Sequence, residues 1–449
     1  MEGDEETLSA CLESLNKADG GILSGRDRVE LVRGSESLIV LQDKTTVHAI
    51  PFRDIVYVTP TAEGIEIGAL TYVMGSRVCG CRASKLSSRD RVFVKLDFTF
   101  ASSSTSRLVR CLNSLCLLSP QVQKALVVIN PVSGSGTAMH DWTHKVEPIL
   151  KRSGYFSWEV VMTDRRGHAF DIGAGPMADL LDCAGEEKIF LISLGGDGVI
   201  FEILNGIKQS RPNKYMSILK RLVLCPLPSG SGNGLCCSML CLADEPFTLN
   251  CALRLLLRRN ITSKDLGLVK FDTDQTRLFA LTVSWGLVAD VDIHSEFLRK
   301  YVGGFRFTLY GLYKVLEKRL YAGELRWGES KTENESDYLT VFATLVPVAA
   351  KTVILSTSKP LNDGLVRIHR MKGSQISRFG LIGAMTELEK RREHDITGFE
   401  PIVTDGFQLS PGLLSSGQHS AGIVVDGEQL TSGSVDVSVV RDACLILTD

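Results

Sequence analysis

The sequence predicts an α/β fold in which a parallel sheet occupies the middle of the chain, between two segments rich in β-strands. Three observations carry this prediction. Apolar strands alternate with amphipathic stretches between residues 125 and 260, and β-branched runs without such alternation lie on either side. At 449 residues the chain is also too long for one ordinary core, so two or three domains are expected.

The middle segment has the clearest pattern. Four apolar runs are each followed by a glycine-containing turn and an amphipathic stretch. They are ALVVIN at 125–130, WEVVM at 158–162, KIFLISL at 188–194 and RLVLCPL at 221–227. Uniformly apolar strands that alternate with helices are typical of a parallel, doubly wound sheet with both faces covered. Ligands of such sheets bind beyond the carboxyl ends of the strands, so the turns there form the candidate site.

The flanking segments favour antiparallel sheets. From Arg28 to Phe100, short β-branched runs are separated by turn residues, and a helical stretch around Leu112 follows, as in a pleckstrin-homology-type module. After Ile261, strands interrupted by helical stretches at 307–321 and 374–393 favour a β-sandwich-like domain. The expected boundaries are a disordered acidic N-terminus at 1–25, a β-rich module at 26–120, an α/β domain at 121–260 and a β-rich domain at 261–449.

Composition excludes several classes of protein. The formal net charge of −2 argues against a bulk electrostatic grip on nucleic acid. The 12 cysteines show no zinc-binding spacing, and an acidic N-terminus without a signal peptide predicts reduced thiols in a cytosolic protein. No run of about 18 apolar residues predicts a membrane-spanning helix.

Three glycine-rich turns follow strands of the predicted sheet. They are N-P-V-S-G-S-G at 130–136, L-G-G-D-G-V-I-F-E-I-L-N-G at 194–206 and P-L-P-S-G-S-G-N-G-L at 226–235. Glycines let the backbone approach a phosphate, and helix N-termini offer unpaired N–H donors. The first turn lacks the lysine of a Walker loop, so alone it is equally well explained as a structural turn. Three such turns in one sheet predict a cleft that binds a polyphosphate.

Asp197 is the candidate catalytic residue in the second turn. It stands between glycines at the carboxyl end of a strand, and Glu202 and Asn205 follow on one face of the next helix. An ordinary helix N-cap explains the aspartate but leaves the flanking glycines without a role.

Together the three motifs resemble the catalytic domain of the diacylglycerol, sphingosine and ceramide lipid kinases. Further segments resemble sphingosine kinases in particular: S-W-G-L-V-A-D-V-D-I-H-S-E at 284–296, R-F-T-L at 306–309, the helix at 377–390 and V-D-G-E at 425–428. The resemblance covers residues 124–449. It implies a nucleotide-binding α/β domain, and a lipid-binding β-rich domain that returns to the ATP cleft at its C-terminal end. The implied reaction transfers the γ-phosphate of ATP, with Mg²⁺, to the primary hydroxyl of a sphingosine-type base.

The resemblance also implies roles for individual residues. Asp197 is the general base for the lipid hydroxyl, and no residue is implied as a metal ligand. The implied nucleotide contacts are Asn130, Pro131, Ser133, Thr163, Asp164, Arg165, Gly195, Gly196, Gly198, Glu202, Gly230, Ser231, Gly232, Arg299, Arg306, Asp426, Gly427 and Glu428. The implied lipid contacts are Asp292, Thr282, Val288, Val291 and Phe307. The sequence departs from sphingosine kinases at Gly195, where they carry serine, and in the missing lysine of the first turn.

Asp290 and Asp292 bear on the choice of lipid. A local strand would point both carboxylates to one side. A carboxylate suits the protonated amine of a sphingoid base, whereas ceramide has an amide there and diacylglycerol has no nitrogen. An ordinary pair of surface carboxylates is the structural alternative.

The helical stretches after residue 306 suggest where a lipid would enter. Their apolar faces either pack in the core or house an acyl chain, and Lys314, Lys318 and Arg319 beside the first face suit an anionic membrane surface. The expected location is the cytoplasm, with peripheral attachment to membranes, and a homodimer is left open. Three alternatives also stay open: ceramide kinase or another lipid kinase of this family, NAD kinase, which shares a GGDG loop, and a non-catalytic lipid-binding module.

Overall fold

The computed structural model describes most of the chain from residue 21 onward. The described residues are 21–23, 27–33, 37–42, 45–61, 64–72, 91–99, 109–110, 112–113, 116, 118, 121–294, 310–311, 314–315, 317–356, 359–389, 401–412, 422–431 and 433–449. Arg299, Arg306 and Phe307, predicted as site residues, lie outside them.

The N-terminal β-rich segment forms a seven-stranded antiparallel sheet in the order β4-β3-β2-β1-β7-β6-β5. The strands are β1 Gly21–Leu23, β2 Asp27–Arg33, β3 Ser37–Gln42, β4 Thr45–Pro51, β5 Ile55–Pro60, β6 Gly64–Tyr72 and β7 Arg91–Thr99. A helical stretch follows at the described residues 109–110 and 112–113. The predicted likeness to a pleckstrin-homology module, and the predicted domain boundaries, stay predictions.

The middle segment is a parallel sheet whose strand order is β9-β8-β10-β11. Its strands are β8 Gln123–Ile129, β9 Phe156–Met162, β10 Ile189–Gly195 and β11 Leu222–Pro228, within two residues of the predicted positions. β10 is buried along its whole length, which explains why its sequence is apolar except at Ser193. The predicted mixed α/β fold is therefore confirmed.

Short helices connect and follow these strands. They are α1 Ala138–Asp141, α2 Glu147–Ser153, α3 His168–Ile172, α4 Ala178–Cys183, α5 Asp197–Ser210, α6 Tyr215–Leu219, α7 Gly234–Leu242 and α8 Leu249–Arg258. π-helical turns at Trp142–Val146 and Gly173–Met177 join α1 to α2 and α3 to α4. The predicted strand-to-helix turns thus start α5 and α7 directly behind the carboxyl ends of β10 and β11.

The last part of the chain is rich in strands, as predicted. The strands are β12 Ile261–Phe271, β13 Thr276–Phe279, β14 Thr282–Gly286, β15 Tyr321–Trp327, β16 Lys331–Thr344, β17 Val348–Ala350, β18 Val353–Ile354, β19 Val366–Lys372, β20 Ile402–Thr404, β21 Gly406–Pro411, β22 Ile423–Val425, β23 Glu428–Thr431 and β24 Val435–Leu447. Two helices interrupt them, α9 Leu287–His294 and α10 Arg378–Glu389, and the described residues between 310 and 317 are helical. No helix of the described residues is both long and apolar enough to cross a bilayer.

One strand joins the two halves of the molecule. β24 pairs parallel with β11, where Val223 faces Leu445, and antiparallel with β12 and β21. The parallel sheet and most of the later strands therefore form one continuous 15-stranded sheet.

The segment A-D-V-D at 289–292 is helical, which corrects the local strand assumed above. Gly286, with φ of +84°, ends β14, and Leu287 and Ala289 bury against neighbouring strands. Alternating apolar and acidic residues fit a strand over four positions, but the burial of Leu287 and Asp290, three residues apart, follows the helical period.

Candidate active site

The three glycine-rich turns meet at the carboxyl ends of β8, β10 and β11. A Cβ atom on Gly230 would overlap the backbone of Gly196, and one on Gly134 would overlap the carbonyl oxygen of Ser229. Ser133 Oγ lies 3.6 Å from the position that a Cβ atom of Gly196 would take. Side chains at these glycines would force the turns apart, so the glycines are needed for their contact. The predicted convergence is therefore present, and Asn130, Pro131, Ser231 and Gly232 lie within the same turns.

Asn233 holds the third turn and was not predicted as a site residue. It has the left-handed conformation, with φ of 52°, and its Oδ1 accepts a hydrogen bond from Gly230 N at 2.8 Å. Its Nδ2 donates to Gly230 O at 2.6 Å. Asparagine between two glycines, directly before a helix, is a sequence signal for such a turn because asparagine tolerates this conformation.

Asp197 lies at the centre of the site, with its side chain partly buried. Its Oδ2 accepts a hydrogen bond from Gly234 N at 2.8 Å, and its Oδ1 accepts one from Leu235 N at 3.1 Å. Burial raises the pKa of this carboxyl, although the N–H groups of Gly234 and Leu235 favour the ionised form.

These hydrogen bonds bear on the alternative in which Asp197 is an ordinary helix N-cap. The N-cap of α5 is Gly196, and no side chain caps that helix. The Asp197 carboxylate instead caps the neighbouring helix α7, so it connects the second and third turns. Each carboxylate oxygen has two lone pairs, so one hydrogen bond to each leaves acceptor capacity for a substrate hydroxyl.

An acidic pair lies beside Gly198 of the second turn. Glu428 Oε1 lies 4.0 Å from the position that a Cβ atom of Gly198 would take. Glu202 Oε2 accepts a hydrogen bond from Phe170 N at 3.2 Å. Burial raises the pKa of Glu202 against the effect of this bond, and the nearby Glu428 adds to the rise. The structure thus brings Glu202 and Glu428 together beside Gly198, although 226 residues separate them in sequence.

Arg166, the neighbour of the predicted nucleotide contact Arg165, reaches this acidic pair. Arg166 Nη2 lies 2.9 Å from Glu428 Oε2, whereas Arg165 pairs with the exposed Asp171 at 2.7 Å. Asp164 also faces the surface, 2.6 Å from His168 Nδ1. The sequence T-D-R-R-G offers two adjacent arginines, and nothing in the pattern distinguishes them. Thr163 is buried beside the first turn, with its N–H bonded to Ile129 O at 2.9 Å.

The carboxylate of Asp426 binds backbone N–H groups around the start of β14. Oδ2 accepts from Ala280 N at 2.7 Å, and Oδ1 accepts from Leu281 N and Thr282 N at 2.9 and 2.8 Å. Burial raises the pKa of Asp426 to about 6, with the charge of Asp197 adding to the rise. One backbone donor binds Oδ2 and two bind Oδ1, so Asp426 holds Thr282 and the Gly427–Glu428 turn in place.

Three of the predicted lipid contacts share one face of α9. Val288, Val291 and Asp292 stand three and four residues apart and are all half-buried, whereas Leu287 and Asp290 are buried. Thr282 lies at the start of β14, next to α9 in the chain.

The apolar helical stretches divide between core and surface. Leu381 is 4 % exposed and packs with Leu339, Leu355 and Met371, whereas Phe379 is 87 % exposed. Lys314 is only 7 % exposed, so it is not available to a membrane surface as the sequence pattern suggested. Its burial follows from an ion pair with Asp290 that the sequence pattern does not reveal.

A cation missed by the sequence analysis lies beside the third turn. Lys351, at the tip of the β17–β18 hairpin, donates its backbone N–H to Gly232 O at 3.3 Å, and its side chain is exposed. The hairpin is held on α7 by Ser238 Oγ, which donates to Val348 O at 2.7 Å. The β-rich half of the chain thus contributes one rim of the cleft.

Comparisons with known proteins show which proteins the chain is similar to. Residues 124–269 match the family model of the diacylglycerol kinase catalytic domain. The chain is 34 % identical over 219 residues to sphingosine kinase 1 of Mus musculus, which covers 47 % of this chain and 53 % of that protein. It is 34 % identical over 223 residues to sphingosine kinase 1 of Caenorhabditis elegans, covering 49 % and 45 %. The matches thus span about half the length of these two relatives.

A longer match is less similar. Sphingosine kinase 1 of Arabidopsis thaliana is 26 % identical over 414 residues, covering 83 % of this chain and 81 % of that protein. Two solved structures from Bacillus anthracis str. Sterne, described as a putative diacylglycerol kinase and a diacylglycerol kinase, have TM-scores of 0.52 and 0.50, at 15 % and 14 % identity. Each covers 74 % of this chain and 99 % of the solved chain, which shows a shared fold. Residues 124–269 are therefore similar to diacylglycerol kinase catalytic domains, and the resemblance to sphingosine kinases predicted from the motifs is confirmed by these relatives.

Proposed function

We propose that this protein is a lipid kinase that transfers the γ-phosphate of ATP to the primary hydroxyl of a sphingosine-type long-chain base. One observation carries the proposal: the Asp197 carboxylate is fixed where three glycine-rich turns converge. The N–H bonds from Gly234 and Leu235 orient both of its oxygens at the end of the phosphate-binding turns. The similarity to sphingosine kinases supports this choice of substrate class.

In the proposed reaction, Asp197 accepts the proton of the lipid hydroxyl while the oxygen attacks the γ-phosphorus. The O–H bond breaks, a new O–P bond forms, and the bond to ADP breaks. An alcohol is too weak an acid to ionise beforehand, so the base must be within hydrogen-bond reach of the hydroxyl. Backbone N–H groups of the three turns offer positive partial charge to the phosphates, which is where phosphoryl transfer needs stabilisation. Arg299 and Arg306 are proposed to add to it.

The donor atoms of the site fit magnesium. The described residues contain no group of three His, Cys, Asp or Glu side chains that could hold a metal. Magnesium bound to a nucleotide is usually coordinated by several phosphate oxygens and one or two carboxylates. Glu202 and Glu428 could supply those carboxylates. Bound there, the ion would neutralise phosphate charge. Glu202 and Glu428 would orient the nucleotide through it, and Arg166 would offset their own repulsion.

The assignment is tested by incubating the purified protein with γ-³²P-ATP and Mg²⁺ across sphingosine, sphinganine, ceramide, diacylglycerol and NAD. Phosphorylation of the two free bases, with at most weak labelling of ceramide and diacylglycerol, is expected. Preferential labelling of ceramide would favour ceramide kinase, and labelling of NAD would favour NAD kinase. If nothing is phosphorylated while lipids still bind, the protein is a lipid-binding module. The same proposal places the protein in the cytoplasm, at membrane surfaces, where its substrate resides.

A further inference from the structure

We infer that Asp290 is a positioning residue that anchors α9 from behind, and that it leaves recognition of the lipid amine to Asp292. The inference rests on the proposed function. It assigns different roles to two aspartates that the sequence presents as an equivalent pair.

The contacts of Asp290 are buried and specific. Asp290 is only 2 % exposed, and its Oδ2 accepts a hydrogen bond from Tyr321 Oη at 2.7 Å. Lys314 Nζ lies 3.4 Å from the same oxygen, and Arg319 Nη1 lies 4.0 Å from it. Because a phenol and two cations already compensate the charge of this carboxylate, it does not require a substrate amine as a partner.

The partners of Asp290 are themselves fixed. Tyr321, at the start of β15, packs its ring edge-on against Trp285 with 5.8 Å between the centroids. Burial and the hydrogen bond to Asp290 raise the pKa of Tyr321 well above its usual value, so the hydroxyl stays a donor. Lys314 has a second partner, Glu317 Oε2 at 2.8 Å, on the exposed side. The buried pair therefore ties α9 to β15 and to the helical residues around Lys314.

A second contact ties the far end of α9 to the same region. The rings of His294 and Tyr310 stack with 6.4 Å between their centroids. Asp290 and His294 are four residues apart, so both contacts lie along one side of the helix.

The helical geometry then separates the two aspartates. Two residues along an α-helix correspond to a rotation of about 200°, so Asp292 lies nearly opposite Asp290. It shares its face with the half-buried Val288 and Val291. A rotation or shift of α9 would move this whole face relative to the cleft. We therefore expect Asp290 to affect lipid binding through orientation, without sensing the charge of the lipid.

The test compares four single variants for KM and kcat on sphingosine and on ceramide, with KM for ATP measured in parallel below the unfolding temperature. Tyr321→Phe removes one hydrogen bond to Asp290 and keeps the ring, so it should fold. It should raise KM for both lipids by about five- to tenfold and leave KM for ATP unchanged. Asp290→Asn should act in the same direction. Asp292→Asn should instead lower kcat/KM for sphingosine at least about tenfold more than for ceramide. Glu317→Gln is the matched control, since it changes the exposed partner of Lys314 and should leave both lipids unaffected.

Three outcomes would overturn the inference. The first is a selective loss on sphingosine, relative to ceramide, in Asp290→Asn or Tyr321→Phe, because Asp290 would then sense the amine. The second is a lower yield of active enzyme with unchanged KM for lipid in both variants, because the role would then be structural only. The third is strict additivity of Asp290→Asn and Lys314→Met in a double-mutant cycle on lipid KM. Absence of lipid phosphorylation by the unmodified protein would refute the proposed function instead, and it would show itself before any variant is made.

Discussion

Arg91 and Glu245 form a buried bidentate ion pair between the N-terminal sheet and the α/β half of the molecule. Arg91 Nη2 lies 2.6 Å from Glu245 Oε1, and its Nε lies 2.9 Å from Oε2. Asp54 accepts from Arg91 Nη1 at 2.6 Å, and Arg254 of α8 lies 3.6 Å from Glu245. Buried residues of the N-terminal sheet also belong to the same hydrophobic cluster as those of β8 and β10. The N-terminal sheet is therefore packed as an integral part of the α/β half.

This pair gives the first prediction. Arg91→Met should destabilise the protein by about 3–5 kcal/mol, because it leaves Glu245 and Asp54 as buried charges with one cation fewer. Lys124→Met is the control: its pair with Glu187 is exposed and should be worth at most about 1 kcal/mol. Denaturant unfolding measures both. Equal, small effects would show that the N-terminal sheet is only loosely attached.

The second prediction concerns Asp197. Asp197→Asn should lower turnover by about 10²–10⁴-fold, because an amide cannot accept the hydroxyl proton. It should also cost some stability, since the amide nitrogen would face the N–H of Gly234 or Leu235, both of which now donate to this side chain. Nucleotide affinity by calorimetry should stay within a few-fold. Near wild-type turnover would remove Asp197 from the role of base.

The third prediction follows from pKa values. Since the pKa of Asp197 is raised, the acid limb of kcat/KM should lie above the usual range of an aspartate. Asp426 affects stability: its folded pKa of about 6 exceeds the ordinary aspartate pKa of 3.8, so the protonated form is favoured on folding. Its contribution is fully present below pH 3.8 and is lost as the pH rises through about 6, by at most about 3 kcal/mol.

Unfolding free energies measured from pH 4 to pH 7 test the contribution of Asp426. Asp426→Asn should flatten this slope, although it also loses a backbone bond and should be less stable throughout. An unchanged slope in the variant would assign the pH dependence to other carboxyls.

The fourth prediction concerns the contact between turns. Gly230→Ala should weaken ATP binding and destabilise the protein by about 1–3 kcal/mol, because its Cβ would overlap the Gly196 backbone. Gly175→Ala is the control, since nothing lies within 4 Å of a Cβ there. Equal ATP affinity in both variants would show that the turns need not touch.

The parts of this molecule that local pattern determines could be predicted from the sequence. The apolar runs predict β10 and its neighbours, because strands buried on both faces are largely apolar, and the three glycine-rich turns predict a cleft at their carboxyl ends. The strand predicted around Asp290 is wrong, because four alternating apolar and acidic residues fit the period of a strand and that of a helix equally well. The ion pair of Asp290 with Lys314, the choice of Arg166 and the backbone bonds of Asp426 depend on which distant segments meet, and no local pattern encodes that.

The position of β24 has a consequence for how the protein is made. Val223 of β11 pairs with Leu445, so the α/β half gains its last strand from almost the other end of the described chain. During synthesis, one edge of β11 stays unpaired until nearly half of the sequence has been made after it. Contacts of such sequence separation slow folding, and an open edge strand is a site for wrong pairing. How well this edge is kept from wrong pairing until β24 is made should therefore affect the yield of folded protein in expression.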